Sequence, residues 1–230
     1  MVTTWTKNMD LNVGAQLKTY FQDKSSTRFP FITLSRQFGC DGINLANMLV
    51  DRLNQGNKGK EWFVLDREQL LEASDDASFT ETTLKRLEEF GHSDLKSYIR
   101  EAIFGHENQV ETVRKMAKVQ RLFANRGRVV FLGGAAPIIT KDLSNGFHIH
   151  LIAPLDWRIT NYASRWSIDE SEARLKVVSE HHEREAYVKT YLGEDINNPY
   201  HYHMVINNSQ INTNEAAEMV VSLLKAKKFL

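Results

Sequence analysis

The stretch ITLSRQFGCDGINLA, residues 32–46, joins an apolar run to a helical pattern through a bend that contains Gly39 and Gly42. The β-branched start predicts a buried strand, and the apolar residues from Leu45 to Leu53 recur at helical spacing. Backbone N–H groups in such a strand-to-helix bend can form a concave anion site. The sequence after Gly42 lacks the lysine and hydroxyl of the full phosphate-loop signature, so a tight turn without a ligand is an equally good interpretation.

Strands and helices alternate along the whole chain. Five short runs rich in β-branched and aromatic residues predict strands at 29–35, 61–66, 128–133, 147–154 and 203–208. Long polar helical stretches cover residues 67–126 and 155–192. This order predicts an α/β fold in which a parallel sheet is covered on both faces and ligands bind beyond the carboxyl ends of the strands.

Several helix starts are marked by an oxygen acceptor three residues before a glutamate, the capping-box pattern. The pattern occurs at Ser78 and Glu81, Ser167 and Glu170, and Asn212 and Glu215. Residues 1–25 predict an extra N-terminal helix with a modest apolar face.

Composition limits the class of protein. A chain of 230 residues can form one compact unit with a sizeable core. Lys plus Arg and Asp plus Glu both number 29, so no net field favours nucleic acid or an anionic membrane. Cys40 is the sole cysteine, which excludes intrachain disulfides and fits a reducing compartment.

No run of 18 apolar residues occurs, and we expect a soluble cytoplasmic protein without nucleic-acid or membrane partners. Apolar positions in 95–123 leave a homodimer possible.

Histidines are concentrated late in the chain. Six of the eight follow residue 147: His148, His150, His181, His182, His201 and His203. Pairs at i and i+2 on a strand share a sheet face, which is compatible with metal binding, but ordinary hydrogen bonding is the commoner role of strand-end histidines. We therefore predict no metal site. Cys40 lies at a helix start, but a structural role is favoured over a reactive thiol because Asp41 opposes thiolate formation.

Over roughly residues 30–226 the sequence resembles the cytidylate kinase-like family of P-loop proteins. The family typically carries I-S-R-[EQ]-[FY]-G-S-G-G at its first strand and loop. LSRQFGCDG matches this motif at Ser35, Arg36, Gln37, Phe38, Gly39 and Gly42. The runs LDREQLLEAS (65–74), APLDWRI (153–159) and YLGED through NPYHY (191–202) follow in the family's order.

The resemblance implies a three-layer P-loop NTPase-like fold in one kinase-like domain, residues 1–230. It implies a five-stranded parallel sheet, a helical monophosphate-binding insertion at 67–126 and a helical lid at 156–195. The implied activity is transfer of a phosphoryl group from ATP, with Mg²⁺, to a nucleoside monophosphate or a similar small acceptor. Such chemistry depends chiefly on positioning and on positive charge around the transferring group.

The same resemblance implies the site residues. The catalytic lid arginines would be Arg158, Arg165 and Arg184, the acceptor would be bound by Asp66 and Arg67, and the phosphate-binding loop would be Ser35, Arg36, Gln37, Phe38, Gly39, Cys40, Asp41, Gly42, Ile43 and Asn44. Guanidinium groups suit bidentate phosphate contacts. Each arginine could instead be a solvated helix residue paired with a nearby acid, and Asp66 could be a helix N-cap.

Three departures from the family pattern weaken the expected phosphate site. Asp41 replaces a glycine and would place a carboxylate where it repels the anion, Ile43 replaces a residue that is often basic, and Gly134 stands where an arginine is usual. Each charged hydrogen bond is worth roughly 1.5–3 kcal/mol, so the losses are large enough to impair catalysis. A second hypothesis is therefore a catalytically degenerate nucleotide- or anion-binding protein that keeps the kinase fold.

Overall fold

The computed structural model describes residues 29–55, 61–75 and 107–230. The expected N-terminal helix at 1–25, the capping box at Ser78 and residues 76–106 of the expected insertion lie outside the described residues. The strands are β1 (Phe31–Arg36), β2 (Phe63–Asp66), β3 (Val129–Leu132), β4 (Gly146–Ile152) and β5 (Met204–Asn207). The helices are α1 (Gly42–Asn54), α2 (Arg67–Asp75), α3 (Glu107–Arg126), α4 (Ala136–Ile139), α5 (Leu155–Trp166), α6 (Glu170–Leu192) and α7 (Thr213–Ala226), with a 3₁₀ turn at Pro199–His201.

The five strands form one parallel sheet in the order β2-β3-β1-β4-β5. The central strand β1 pairs with β3 and β4, so that Leu34 lies beside Leu132 on one side and Ile149 on the other. Parallel neighbours need long crossover connections, and the intervening helices supply them. The expected three-layer α/β fold with a five-stranded parallel sheet is confirmed.

Alternating residues of β1 serve the two faces of the sheet. Ile32 and Leu34 pack in a core with residues of α1 and α7. Phe31 packs on the other face, with Phe131 at 6.0 Å between ring centroids and with residues of α3. The sheet is thus buried on both sides, which explains why its strands read as nearly continuous apolar runs.

The helix caps agree with the sequence pattern at α7 and differ from it at α6. Asn212 and Glu215 form the expected capping box at the start of α7. At α6 the cap is Asp169, whose side chain accepts hydrogen bonds from the backbone of Ser171 and Glu172. The expectation for Ser167 was wrong, because that residue ends α5 in a left-handed conformation and is unable to start the next helix. None of the described helices is both long enough and apolar enough for a membrane span.

Candidate functional site

A cavity of about 520 Å³ opens beyond the carboxyl ends of three neighbouring strands. Arg36, Asp66 and Leu132 end β1, β2 and β3, and all three line it. The parallel sheet brings these ends to one edge, which is where ligands bind in open α/β sheets. The cavity therefore lies where the fold predicts a binding site.

Helix α6 forms the opposite wall of the cavity with one of its faces. The contributing residues are Glu180, Glu183, Arg184, Tyr187 and Val188. Their spacing of three, four, seven and eight residues places them on one side of a helix. Sequence analysis had identified Arg184 alone, although this polar spacing within a continuous helical stretch was a readable signal for the others.

Three guanidinium groups from three different elements reach this cavity: Arg36 from β1, Arg67 from α2 and Arg184 from α6. Burial, aided by the charge of Arg184, lowers the pKa of Arg36 to about 9. Burial also lowers the pKa of Arg184, and although Glu180 opposes this, Arg67 adds to it. Like charges held close together in a half-buried site are relieved by an oxyanion, so the arrangement suits a ligand with several anionic oxygens.

Two glycines make room for the Arg36 side chain. A Cβ atom at Gly133 would overlap Nη1 of Arg36, and one at Gly42 would lie 3.2 Å from its Cδ. Gly133 also has a φ of +83°, which other residues adopt only with strain. The guanidinium therefore lies beside Gly133 and supplies a positive charge one residue before Gly134, the position where the family pattern led us to expect a lost arginine.

Aromatic rings support the other two arginines. The Arg67 guanidinium lies 5.5 Å from the centroid of the Tyr187 ring, and that of Arg184 lies 4.7 Å from the Phe38 ring. Such cation–π contacts fix the direction of a guanidinium group while leaving its N–H donors able to bind a ligand. They make Phe38 and Tyr187 supporting residues of the site.

Asp66 caps a helix and also lines the cavity. Its Oδ1 accepts a hydrogen bond of 2.9 Å from the backbone N–H of Gln69, and Oε1 of Gln69 accepts one of 3.0 Å from the backbone of Asp66. This reciprocal pair caps α2. The carboxylate also lines the cavity, so capping does not remove it from the site.

The arginines of α5 point at the loop between β1 and α1. Arg158 is buried, and it donates hydrogen bonds from Nε to the carbonyl of Ala153 at 3.1 Å and from Nη1 to the carbonyl of Phe38 at 3.0 Å. Arg165 forms an ion pair with Asp41. Neither residue lines the cavity, so of the three expected lid arginines the structure places Arg184 alone there.

The expected phosphate-binding loop contributes to the cavity through Arg36 and Ile43. Its other residues do not line the cavity, and several of them contact neighbouring parts of the protein. Gln37 accepts a hydrogen bond of 3.0 Å from the backbone of Ala153 through Oε1, and Ser35 is buried in the sheet. Burial raises the pKa of the Cys40 thiol to about 12, as a structural cysteine requires.

Asp41 does not face the cavity, contrary to the expectation that its carboxylate would oppose a bound phosphate. Its Oδ1 accepts a hydrogen bond from Nδ2 of Asn44 at 2.8 Å, and Oδ2 accepts one from Oγ1 of Thr213 at 2.9 Å. With Arg165 these contacts turn the carboxylate toward α5 and α7. The Asp41 carboxylate therefore does not directly repel an anion bound in the cavity.

The sequence model of the cytidylate kinase-like family matches residues 31–210. The chain belongs to this family. An uncharacterized protein from Eubacterium ventriosum has the same fold, with a TM-score of 0.68 and 17% identity over 86% of this chain and 99% of that one. Weaker likenesses are to a shikimate kinase from Bacteroides thetaiotaomicron (TM-score 0.40, 14% identity, 85% of this chain and 98% of that one covered) and to TT1252 from Thermus thermophilus (TM-score 0.40, 18% identity, 87% and 98% covered). No curated protein matches the chain.

In this cytidylate kinase-like chain the late histidines contact other protein groups. Nδ1 of His148 shares a hydrogen bond of 2.9 Å with Oγ1 of Thr33, and Nδ1 of His203 accepts one of 3.0 Å from the backbone of His148. The His150 ring stacks on Tyr202 at 4.6 Å. Burial lowers the pKa of His148 to about 3 and that of His150 to about 4, so both are neutral near pH 7.

Proposed function

We propose that the protein is a nucleotide kinase-like phosphotransferase that moves a phosphoryl group from ATP to a nucleoside monophosphate or a similar small acceptor. The observation that carries the proposal is the convergence of Arg36, Arg67 and Arg184 in one cavity beyond the ends of β1, β2 and β3. Membership of the cytidylate kinase-like family supports it. A cavity of about 520 Å³ falls within the usual size of small-molecule sites.

The roles of the residues follow from their places in the cavity. Arg36 and Arg184 hold the oxygens of the transferring group. Their guanidinium groups repel each other and are partly shielded from water, so contact with anionic oxygens stabilises both. Arg67 and Asp66, at the start of α2, hold the acceptor. Arg158 and Arg165 act from outside as positioning residues, since their partners belong to the loop.

The donor atoms of the cavity fit a magnesium ion that arrives with phosphate. Asp66, Glu68, Glu180 and Glu183 line the cavity, but the described part of the chain contains no group of three ligands able to hold a metal unaided. Magnesium is usually held by one or two carboxylates together with substrate phosphates. When bound, it would neutralise charge on the phosphates.

A second candidate is a nucleotide- or anion-binding protein without turnover. The described residues that line the cavity include no lysine, and two expected lid arginines are engaged with the loop. Such a protein would keep the three guanidinium groups and bind an anion through them.

An activity assay with a matched variant separates the two candidates. The purified protein is incubated with ATP, Mg²⁺ and a panel of nucleoside monophosphates, and diphosphate formation is measured beside ligand-induced shifts in Tm. Arg184→Met should lower kcat/KM by about 10- to 100-fold, the equivalent of one lost charged hydrogen bond. Arg174→Met removes an exposed arginine of the same helix, paired with Asp156 at 3.0 Å, and should leave turnover unchanged.

Ligand stabilisation without diphosphate formation would favour the binding protein. The absence of both turnover and stabilisation across the panel would contradict both candidates. We further propose that the protein acts in the cytoplasm, as the single cysteine suggests, and as a homodimer. Cell fractionation and light scattering on the purified protein check these two points.

A further inference from the structure

We propose that Asp41 is a positioning residue: its carboxylate acts as an internal anion that holds the loop between β1 and α1 against α5 and α7. The inference goes beyond the proposed function and does not depend on turnover. It concerns a residue that lies outside the cavity and that the sequence had identified only as a liability.

The contacts of Asp41 join segments that are far apart in the chain. Its carboxylate binds Arg165 of α5 and Thr213 of α7, and its backbone N–H donates to Oδ1 of Asn208 at 2.7 Å. Asn44 supplies a fourth, local contact at 2.8 Å. Both carboxylate oxygens and the backbone N–H are thus occupied by donors or acceptors of the protein, and the side chain has a defined direction.

The charge of the Asp41 carboxylate is balanced by an ion pair. Arg165 supplies a full positive charge, and the Asp41 side chain is 18% exposed, so solvent screens the pair only in part. Helix α1 begins immediately after Asp41 and α7 begins at Thr213, yet the Asp41 side chain makes no capping bond within α1. The carboxylate therefore links the start of α7 to the loop, and its bond to α1 is to the side chain of Asn44 rather than to the helix backbone.

Neighbouring contacts fix the rest of the loop to α5 in the same way. Arg158 donates to the carbonyl of Phe38 at 3.0 Å, and Nδ2 of Asn161 donates to the carbonyl of Gly39 at 2.7 Å. A Cβ atom at Gly39 would lie 2.7 Å from that of Arg158, so loop and helix are in close contact. With Asp41 tied to Arg165, three consecutive turns of α5 hold the loop.

The test removes the carboxylate and then supplies one from solution. In Asp41→Ala, amide hydrogen exchange in the peptide spanning residues 37–44 should be at least about tenfold faster than in the wild type, because local opening becomes easier. Formate should restore the protection, while chloride at equal ionic strength should not. A general loss of packing would not respond to formate in this selective way.

Two further variants connect the effect to the ion pair. Arg165→Met should speed exchange in the same peptide, and the double variant Asp41→Ala/Arg165→Met should gain no protection from formate. Asp156→Ala, which removes the exposed partner of Arg174, should leave the exchange unchanged. Wild-type exchange in Asp41→Ala, or equal recovery with chloride and formate, would overturn the proposal.

If Asp41→Ala fails to fold, Asp41→Asn keeps the shape of the side chain and removes its charge. It should exchange faster in residues 37–44 than the wild type, and wild-type exchange there would also overturn the proposal. None of these measurements uses a nucleotide, so their outcome is separate from that of the activity assay.

Discussion

At the scale of single residues, space decides the role of Arg36. Its side chain passes Gly42 and ends beside Gly133. A methyl group at Gly133 would overlap the guanidinium group, and one at Gly42 would be in tight contact with the Arg36 side chain. The sequence GG at 133–134 indicated a lost arginine at Gly134. The structure places the Arg36 guanidinium beside the adjacent Gly133, so a residue of the neighbouring strand β1 supplies a positive charge next to that position.

Substitution of Gly133 by alanine tests this interpretation. The new methyl group meets a left-handed backbone, which costs about 1–2 kcal/mol, and it also overlaps the guanidinium of Arg36, where overpacking costs about 1–3 kcal/mol more. Urea unfolding should show both losses of free energy of unfolding. Gly193→Ala is the control, because Gly193 has a φ of +69° and open space around it. Equal destabilisation of the two variants would mean that Arg36 does not need the space at Gly133.

The arginines show what could be predicted at this scale. The family motif identified Arg36, Arg158, Arg165 and Arg184 as candidates, but spacing along a helix gives only the face on which a side chain lies. Arg158 and Arg165 are directed by the carbonyl of Phe38 and by Asp41, which are distant in sequence. Their partners become visible only when the loop and α5 are brought together.

At the scale of elements, the strands were the best predicted part of the chain. All five appear within two residues of the expected bounds. The inner strands β1 and β3 are buried on both faces and therefore read as continuous apolar runs, whereas the edge strand β5 is only partly buried. Helix starts were less certain, since Ser167 and Asp169 both offer an oxygen acceptor near the first turn of α6. Asp169 has the extended backbone conformation that an N-cap residue needs. The sequence does not give backbone angles, so the choice between the two residues could not be made from it.

Helix α7 offers a direct measurement of a cap. Asn212 accepts hydrogen bonds from the backbone of Asn214 and Glu215, both at 3.0 Å. Asn212→Ala should lower the free energy of unfolding by about 0.5–2 kcal/mol. Ser222→Ala, at an exposed position of the same helix, should have little effect or a slightly stabilising one. Chemical denaturation checks both, and an unchanged midpoint for Asn212→Ala would show that the cap contributes nothing to global stability.

At the scale of the whole molecule, the parallel sheet determines where chemistry can occur. The sequence predicted the sheet and its functional edge, and the cavity lies at that edge. It did not predict that α5 would face the loop while α6 faces the cavity, because both helices carry arginines and acids at similar spacing. That difference arises from how the two helices pack against each other, through Ile159 and Ala163 of α5 and Ala173 and Val177 of α6.

Two buried histidines, His148 and His150, should make the stability of the fold depend on pH. Burial, with a smaller contribution from His181, lowers the pKa of His150 from 6.5 to about 4, and burial lowers the pKa of His148 to about 3. Between these values and about 6.5 the unfolded chain binds more protons than the folded one. Stability should therefore be unaffected by these groups above pH 6.5 and should fall as the pH decreases below it, by up to ~1.4 kcal/mol per pH unit for each histidine.

Replacement of His150 by phenylalanine should flatten that dependence. The ring stacks on Tyr202 with an interplanar angle of 15°, and neither ring nitrogen has a hydrogen-bond partner within the described part of the chain, so a phenyl ring can keep the contact. Urea unfolding at pH 7 should show a small change, while the loss of stability between pH 6.5 and 4.5 should be smaller than in the wild type by up to ~1.4 kcal/mol per unit. His182→Gln, which alters an exposed histidine on α6, is the matched control. An unchanged slope in His150→Phe would show that His150 is not a source of the acid sensitivity.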